Sequence, residues 1–250
     1  MSGHSKWKTN KAKKSAADAK KGAAYTKIIK EITVAARDGG NPDTNPRLRT
    51  AIARARELNM PSDNVKMAIK RGTGELPGVV YETVMYEGYA SGGVAIMIEC
   101  LTDNKNRTTA ELRNIMSKKG GNMAGAGSVA WMFTKKGYFL IEKSQAKEED
   151  LFNTVIEAGA EDMKSDDKNF EIYTPVASFE NVKQALTEKG IKWQDAELTM
   201  VPSSTVKVTG GDAKQVLGLI DALEEHDDVQ QVYANFDIPD EILEEVASEE

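Results

Sequence analysis

Between Gly137 and Val201 the apolar residues change period again and again, and no other feature of the chain narrows its fold as much. A strand pattern at 137–142 gives way to a helical one at 147–158. Strand patterns near 161–165 and 169–174, a helix at 178–189 and a strand at 192–201 complete the run. The order βαββαβ predicts a ferredoxin-like split unit. Pro202-Ser203-Ser204 closes it with turn chemistry.

The flanking sequence reads differently. From Ser15, which can cap with Asp18, the residues Tyr25, Ile28, Ile29, Ile32 and Ala36 recur at helical spacing, and Gly39-Gly40 stops the pattern. Asn45-Pro46 opens a second helix, because Asn caps well and Pro suits the first helical position; Leu48, Ile52, Ala55 and Leu58 face inward and Asn59 ends it. Pro61-Ser62 starts a third, carrying Val65, Ala68 and Ile69 and closed by Gly72 and Gly74. Residues 2–14 hold only Trp7 as a large apolar group, too little to order them alone. After Pro77, VVYETVMYEGY and GGVAIMIECLT read as two strands joined around Ala90 to Gly93. Asn104 to Lys119 reads as a helix and Ser128 to Phe133 as a strand. Beyond Ser204 come a strand at 205–209, a helix at 212–225 and a strand at 229–236, pieces that complete the sheet begun near residue 80.

The expected fold class is therefore α+β: an N-terminal three-helix domain followed by two α/β ferredoxin-like domains, one inserted in the other. The expected boundaries are 1–78 for a basic helical domain with its leader, 79–134 plus 203–250 for an α/β domain, and 135–202 for the inserted βαββαβ domain.

Charge is segregated along this outline. The net charge is -6, yet residues 1–75 carry 17 Lys+Arg against 7 Asp+Glu, leaving 16 against 32 for the rest. One end suits a polyanion and the other suits solubility. The single Cys100, set in VAIMIECL, reads as a buried hydrophobe in a reducing, cytoplasmic compartment. No apolar run reaches the ~20 residues of a membrane span.

Catalysis finds little support. His4 lies in the leader and His226 in an acidic stretch, so neither forms a nucleophile–base pair with Cys100. One Cys and two distant His do not make a zinc site. Gly125-Ala126-Gly127-Ser128-Val129-Ala130 matches the letters of a dinucleotide fingerprint, but that motif must follow a strand and open a helix, the inverse of the order expected here. KGYFLIE, from Lys136 to Glu142, is similar to the aromatic RNA-binding strand of the RRM but sits on the first strand of its unit rather than the third. It reads as core. No enzyme activity, cofactor, metal or small-molecule substrate is expected.

The basic end remains. Lys6, Lys8, Lys11, Lys13 and Lys14 crowd the leader, Lys20, Lys21, Lys27 and Lys30 continue along the first helix, and Arg47, Arg49, Arg54 and Arg56 stud the second. Few acids lie nearby in sequence. Such clusters neutralise phosphates and release counterions, and Trp7 can stack on a base or dock on the protein. These residues form the expected nucleic-acid-binding set.

MSGHSKW, DAKKGAAYTKIIKEITVAAR, NPRLRTAI, NMPSDNVKMAIKRGTG, YEGYASGGVAIMIECLTDNKNRT and GGNMAGAGSVAWMF together resemble the YebC family over essentially the whole chain. The resemblance implies three domains around a cleft and no known catalysis. It implies a DNA-binding transcriptional regulator or, as in the mitochondrial relatives that activate translation of cytochrome oxidase, a factor acting on ribosomal RNA. A protein partner in the interdomain cleft is a further expectation, and a membrane partner is not expected.

Overall fold

The computed structural model describes residues 18–239, 241–243 and 246. The leader residues Lys6, Trp7, Lys8, Lys11, Lys13 and Lys14 and the Ser15 cap lie outside these. The chain is mixed helix and sheet, with helices first and sheets after, and it divides into two compact units. No helix among the described residues is long and apolar enough to cross a membrane.

One unit holds the described residues up to Ser128 together with Gly210–Val232. It begins with three helices, α1 (Asp18–Ala35), α2 (Pro46–Glu57) and α3 (Ser62–Gly72), with a 3-10 turn at Ala36–Asp38 after α1. Ile28, Ile32, Leu48, Ala51, Ala55 and Ala68 bury together between them, because their spacing puts them on one stripe of each helix. Small residues let the helices approach closely. A Cβ on Gly72 would lie 2.4 Å from the Thr33 carbonyl oxygen and 2.6 Å from the Ala36 Cβ. Leu58, expected inward, is 36% exposed, since α2 has already ended there and Asn59 turns the chain through a left-handed φ of 57°.

Asn45 fastens the first two helices. Its Oδ1 accepts the Leu48 N–H at 3.0 Å, the N-cap bond its sequence position foretold, while Nδ2 donates to the carbonyls of Ala35 (2.7 Å) and Gly39 (2.8 Å). One amide thus satisfies orphan groups at the end of α1, in the turn and at the start of α2.

The same unit continues with β1 (Glu82–Tyr89), β2 (Ala95–Thr102), α4 (Lys105–Lys118) and β3 (Asn122–Ala124). β1 pairs antiparallel with both β2 and β3. After a long excursion the chain returns through a helix at Gly210–Glu224 and a strand at Val229–Ala234, which takes the sheet edge beside β2.

The other unit comprises the described residues of Val129–Thr209 and those from Tyr233 onward. Its sheet runs β4 (Phe133–Glu142), α5 (Glu148–Glu157), β5 (Asp162–Ser165), β6 (Asn169–Thr174), α6 (Phe179–Glu188) and β7 (Asp195–Pro202). Strand order β5-β6-β4-β7, with every neighbouring pair antiparallel, is the ferredoxin-like arrangement. Phe139, Ile141, Phe170 and Ile172 face the helices, where Leu151, Val155, Val182 and Leu186 meet them. KGYFLIE is core, as the sequence indicated: Tyr138 to Ile141 are all buried.

Two strand assignments change. Residues 128–132 do not form a strand: β3 precedes the glycine turn, Gly127 reverses the chain at φ 83°, and Ala130–Met132 make a 3-10 turn before β4. Apolar VAWMF imitates a buried strand, but Trp131 is 72% exposed. Nor does 205–209 join the first sheet. Its two-residue strand β8 (Val206–Lys207) pairs in parallel with β10 (Phe236–Asp237) as a separate ribbon. The Gly210–Glu224 helix is α7 and the Val229–Ala234 strand is β9.

Candidate nucleic-acid interface

The four arginines of α2 fall in two rows. Arg47 and Arg54 are seven residues apart on one edge of the buried stripe of Leu48, Ala51 and Ala55. Arg49 and Arg56 have the same separation on the other edge. Arg47, Arg49 and Arg56 are exposed. Arg54 is half-buried and donates to both Glu31 carboxylate oxygens, at 3.3 and 3.4 Å. A neighbouring cationic face was overlooked in the sequence. On α3, Lys66, Lys70 and Arg71 are exposed around Met67, with one acid, Asp63, 3.3 Å from Lys66. The four-residue step from Lys66 to Lys70, with Arg71 beside it, was the available signal.

Lys27 and Lys30 are not part of that surface. Lys30 is 7% exposed; its Nζ donates to Asp228 Oδ1 at 2.6 Å and to the Asp227 carbonyl at 3.0 Å. Lys27 Nζ donates to the Glu224 carbonyl at the end of α7. Burial lowers the Lys27 pKa, while Glu224 and Asp227 oppose the shift. Lys27 thus meets the C-terminal end of a helix, where cations are favoured, and Lys30 meets the turn just beyond it. Lys20 and Lys21 fall within α1 by backbone.

Asp228 is the hub of this contact. It is 2% exposed, and its Oδ2 takes bonds from Arg107 (2.9 Å) and Thr108 (2.7 Å) as Lys30 takes Oδ1. Burial alone would raise its pKa; the bonds from Lys30, Arg107 and Thr108 outweigh that and hold the carboxyl well below the usual range. His226 lies beside it, with Nδ1 accepting the Asp228 N–H at 3.1 Å and Nε2 2.9 Å from Glu111. Glu111, His226 and Asp228 could in principle surround a cation. Both Asp228 oxygens are already engaged, and Arg107 reaches Asp228 at 2.9 Å and Glu111 at 3.9 Å, so cations of the chain itself already meet these carboxylates.

The features weighed for chemistry are likewise committed to structure. Cys100 is buried, and burial pushes its thiol up to about 12, far from a nucleophile's range. In the glycine turn, Gly127 N–H donates to the buried Glu87 carboxylate at 2.7 Å, so this donor serves a side chain of β1.

Comparisons with known proteins cover the whole arrangement. Residues 5–75 match the model of the TACO1/YebC protein N-terminal domain and residues 81–236 that of the TACO1/YebC second and third domain. A "probable transcriptional regulatory protein" of Dictyoglomus turgidum is 57% identical over 99% of this chain and 100% of its own length. One of Acidobacterium capsulatum is 53% identical, again over 99% and 100%. Among solved structures, the conserved hypothetical protein Aq1575 of Aquifex aeolicus is 47% identical with a TM-score of 0.77, covering 89% of this chain and 92% of that one.

Proposed function

The chain belongs to the TACO1/YebC family, and from that premise we propose that it is a non-enzymatic regulator of gene expression that binds DNA. Relatives named probable transcriptional regulatory proteins support a regulator in general. The segment 1–78 is the binding part in this reading, with 79–134 plus 203–250 and the inserted 135–202 carrying the acidic remainder. Phosphates meet Arg47, Arg49 and Arg56 on α2, together with Lys6, Lys8, Lys11, Lys13, Lys14, Lys20 and Lys21.

The observation that carries the reading is the three exposed arginines, Arg47, Arg49 and Arg56, set on both edges of the buried stripe of α2. They offer no single continuous face to lay into a major groove, so contacts to the sugar–phosphate backbone and its shape dominate over base edges. Ribosomal RNA is the second reading, because backbone contacts of this kind do not depend on the sugar. The test is a salt titration of binding by the full-length protein. Replacing Arg47, Arg49 and Arg56 with Gln lowers the slope of log K against log salt by about 0.9 for each duplex phosphate no longer neutralised. An unchanged slope rejects the site. Crosslinking in cells, followed by sequencing of the attached nucleic acid, then separates DNA from ribosomal RNA.

A further inference from the structure

The face of the β4–β7 sheet turned away from α5 and α6 follows from the register. Phe139, Ile141, Phe170 and Ile172 point to the helices, so the residues between them point the other way. Tyr138 lies opposite Tyr173, which lies opposite Asp162, and Thr134 lies opposite Val201. At the middle of this face the buried Glu171 accepts the Tyr173 hydroxyl at 2.8 Å and the Tyr138 hydroxyl at 3.4 Å. Both phenols are thereby held, and the aromatic platform of an RNA-binding sheet is absent from it. At one end of the face, a cavity of about 380 Å³ opens between β4, β5 and the segment Ser203–Thr205.

We propose that this cavity binds a small phosphorylated molecule of the sugar-phosphate or mononucleotide class. Lys136 from β4, Lys164 from β5, Thr134, Ser204 and Thr205 all line it, so two cationic and three hydroxyl-bearing residues surround the space. Cations converging with neutral donors are the chemistry of phosphate recognition. Asp162 lines the same cavity. It repels a bare dianion but accepts from a hydroxyl or amine, so the ligand carries such a group beside its phosphate. The existing partners do not block this. Lys136 meets Glu161 at 2.5 Å and Lys164 meets Asp162 at 3.9 Å, with side chains between 31% and 54% exposed. Such pairs are weak, and each ammonium keeps further donors. The site is independent of the α2 arginines.

The test uses isotope-labelled full-length protein titrated with AMP, adenosine and inorganic phosphate. AMP produces saturable amide shifts at Thr134, Lys136, Lys164, Ser204 and Thr205, inorganic phosphate produces weaker ones at the same residues, and adenosine produces none. Lys136→Ala with Lys164→Ala weakens AMP binding by at least about tenfold at an unchanged melting temperature. Lys136→Gln with Lys164→Gln, which keeps more of each aliphatic stem, does the same. No saturable shift at about 10 mM AMP overturns the proposal, as do unchanged affinity in both double variants and equal shifts from adenosine. A 5′-phosphorylated RNA that displaces AMP and binds more tightly overturns the assignment to a small molecule.

Discussion

Asn45→Ala is expected to open the helical segment while leaving the sheets intact. The native amide makes three bonds, and each can be costed separately. The N-cap bond to Leu48 is worth about 1 kcal/mol. The carbonyls of Ala35 and Gly39 lose their donor, and a buried acceptor left unsatisfied costs about 1–3 kcal/mol. The Gly39 bond is only part-buried and water recovers some of it, so the total comes to about 3–5 kcal/mol. Native-state hydrogen exchange reads this directly: amides of Ile32, Ile52 and Ala55 exchange about a hundred- to several-thousand-fold faster, while those of Phe139 and Ile172 do not change. Asn45→Asp supplies the internal control. It keeps the cap acceptor and even improves it at a helix N-terminus, yet sets a carboxylate oxygen against two carbonyls. Protection in Asn45→Asp equal to the native protein's would refute the clamp and leave the cap as Asn45's whole role.

Charged and close-packed positions elsewhere give further expectations. Asp228→Asn leaves the buried Lys30 ammonium without its counter-charge, at a cost of about 3–5 kcal/mol in denaturant titration at neutral pH. Because the folded Asp228 pKa is depressed, its stabilisation is present above the unfolded value near 4 and is lost as pH falls toward the folded one. The stability gap between native and Asp228→Asn proteins should therefore narrow below about pH 4. Gly72→Ala forces a methyl against the Thr33 carbonyl and should cost about 1–3 kcal/mol, or more if α1 cannot shift, read as a lower melting temperature. Cys100 should resist a thiol reagent in the native state at pH 8 and react promptly in denaturant.

Short-range signals made much of this fold legible. Asn45-Pro46 marked the start of α2, the Gly39-Gly40 pair marked the end of the first helical pattern, and alternating periods gave the βαββαβ order, because each is written within a few residues. What failed was long-range. Lys27 and Lys30 have few acids near them in sequence, so they read as free cations. Their partners lie 197 and 198 residues onward, and no local rule finds them. Residues 128–132 failed for another reason: an apolar run does not reveal whether it is buried, and Trp131 is not. The basic face of α3 is written in NVKMAIKRG, but its cations are interleaved with the apolar stripe of Val65, Ala68 and Ile69.

The placement of β9 beside β2 has a temporal meaning. A ribosome making this chain finishes β2 at Thr102 but does not reach Val229 until more than a hundred codons later, on the order of ten seconds at ordinary elongation rates. Meanwhile the contiguous stretch from Phe133 to Pro202 can collapse by itself, whereas the earlier sheet waits with one edge bare. Lys30 waits too, because the carboxylate that neutralises it is made 198 residues later. A nascent chain therefore presents a more cationic front than the finished molecule, and translation itself decides when that charge is retired.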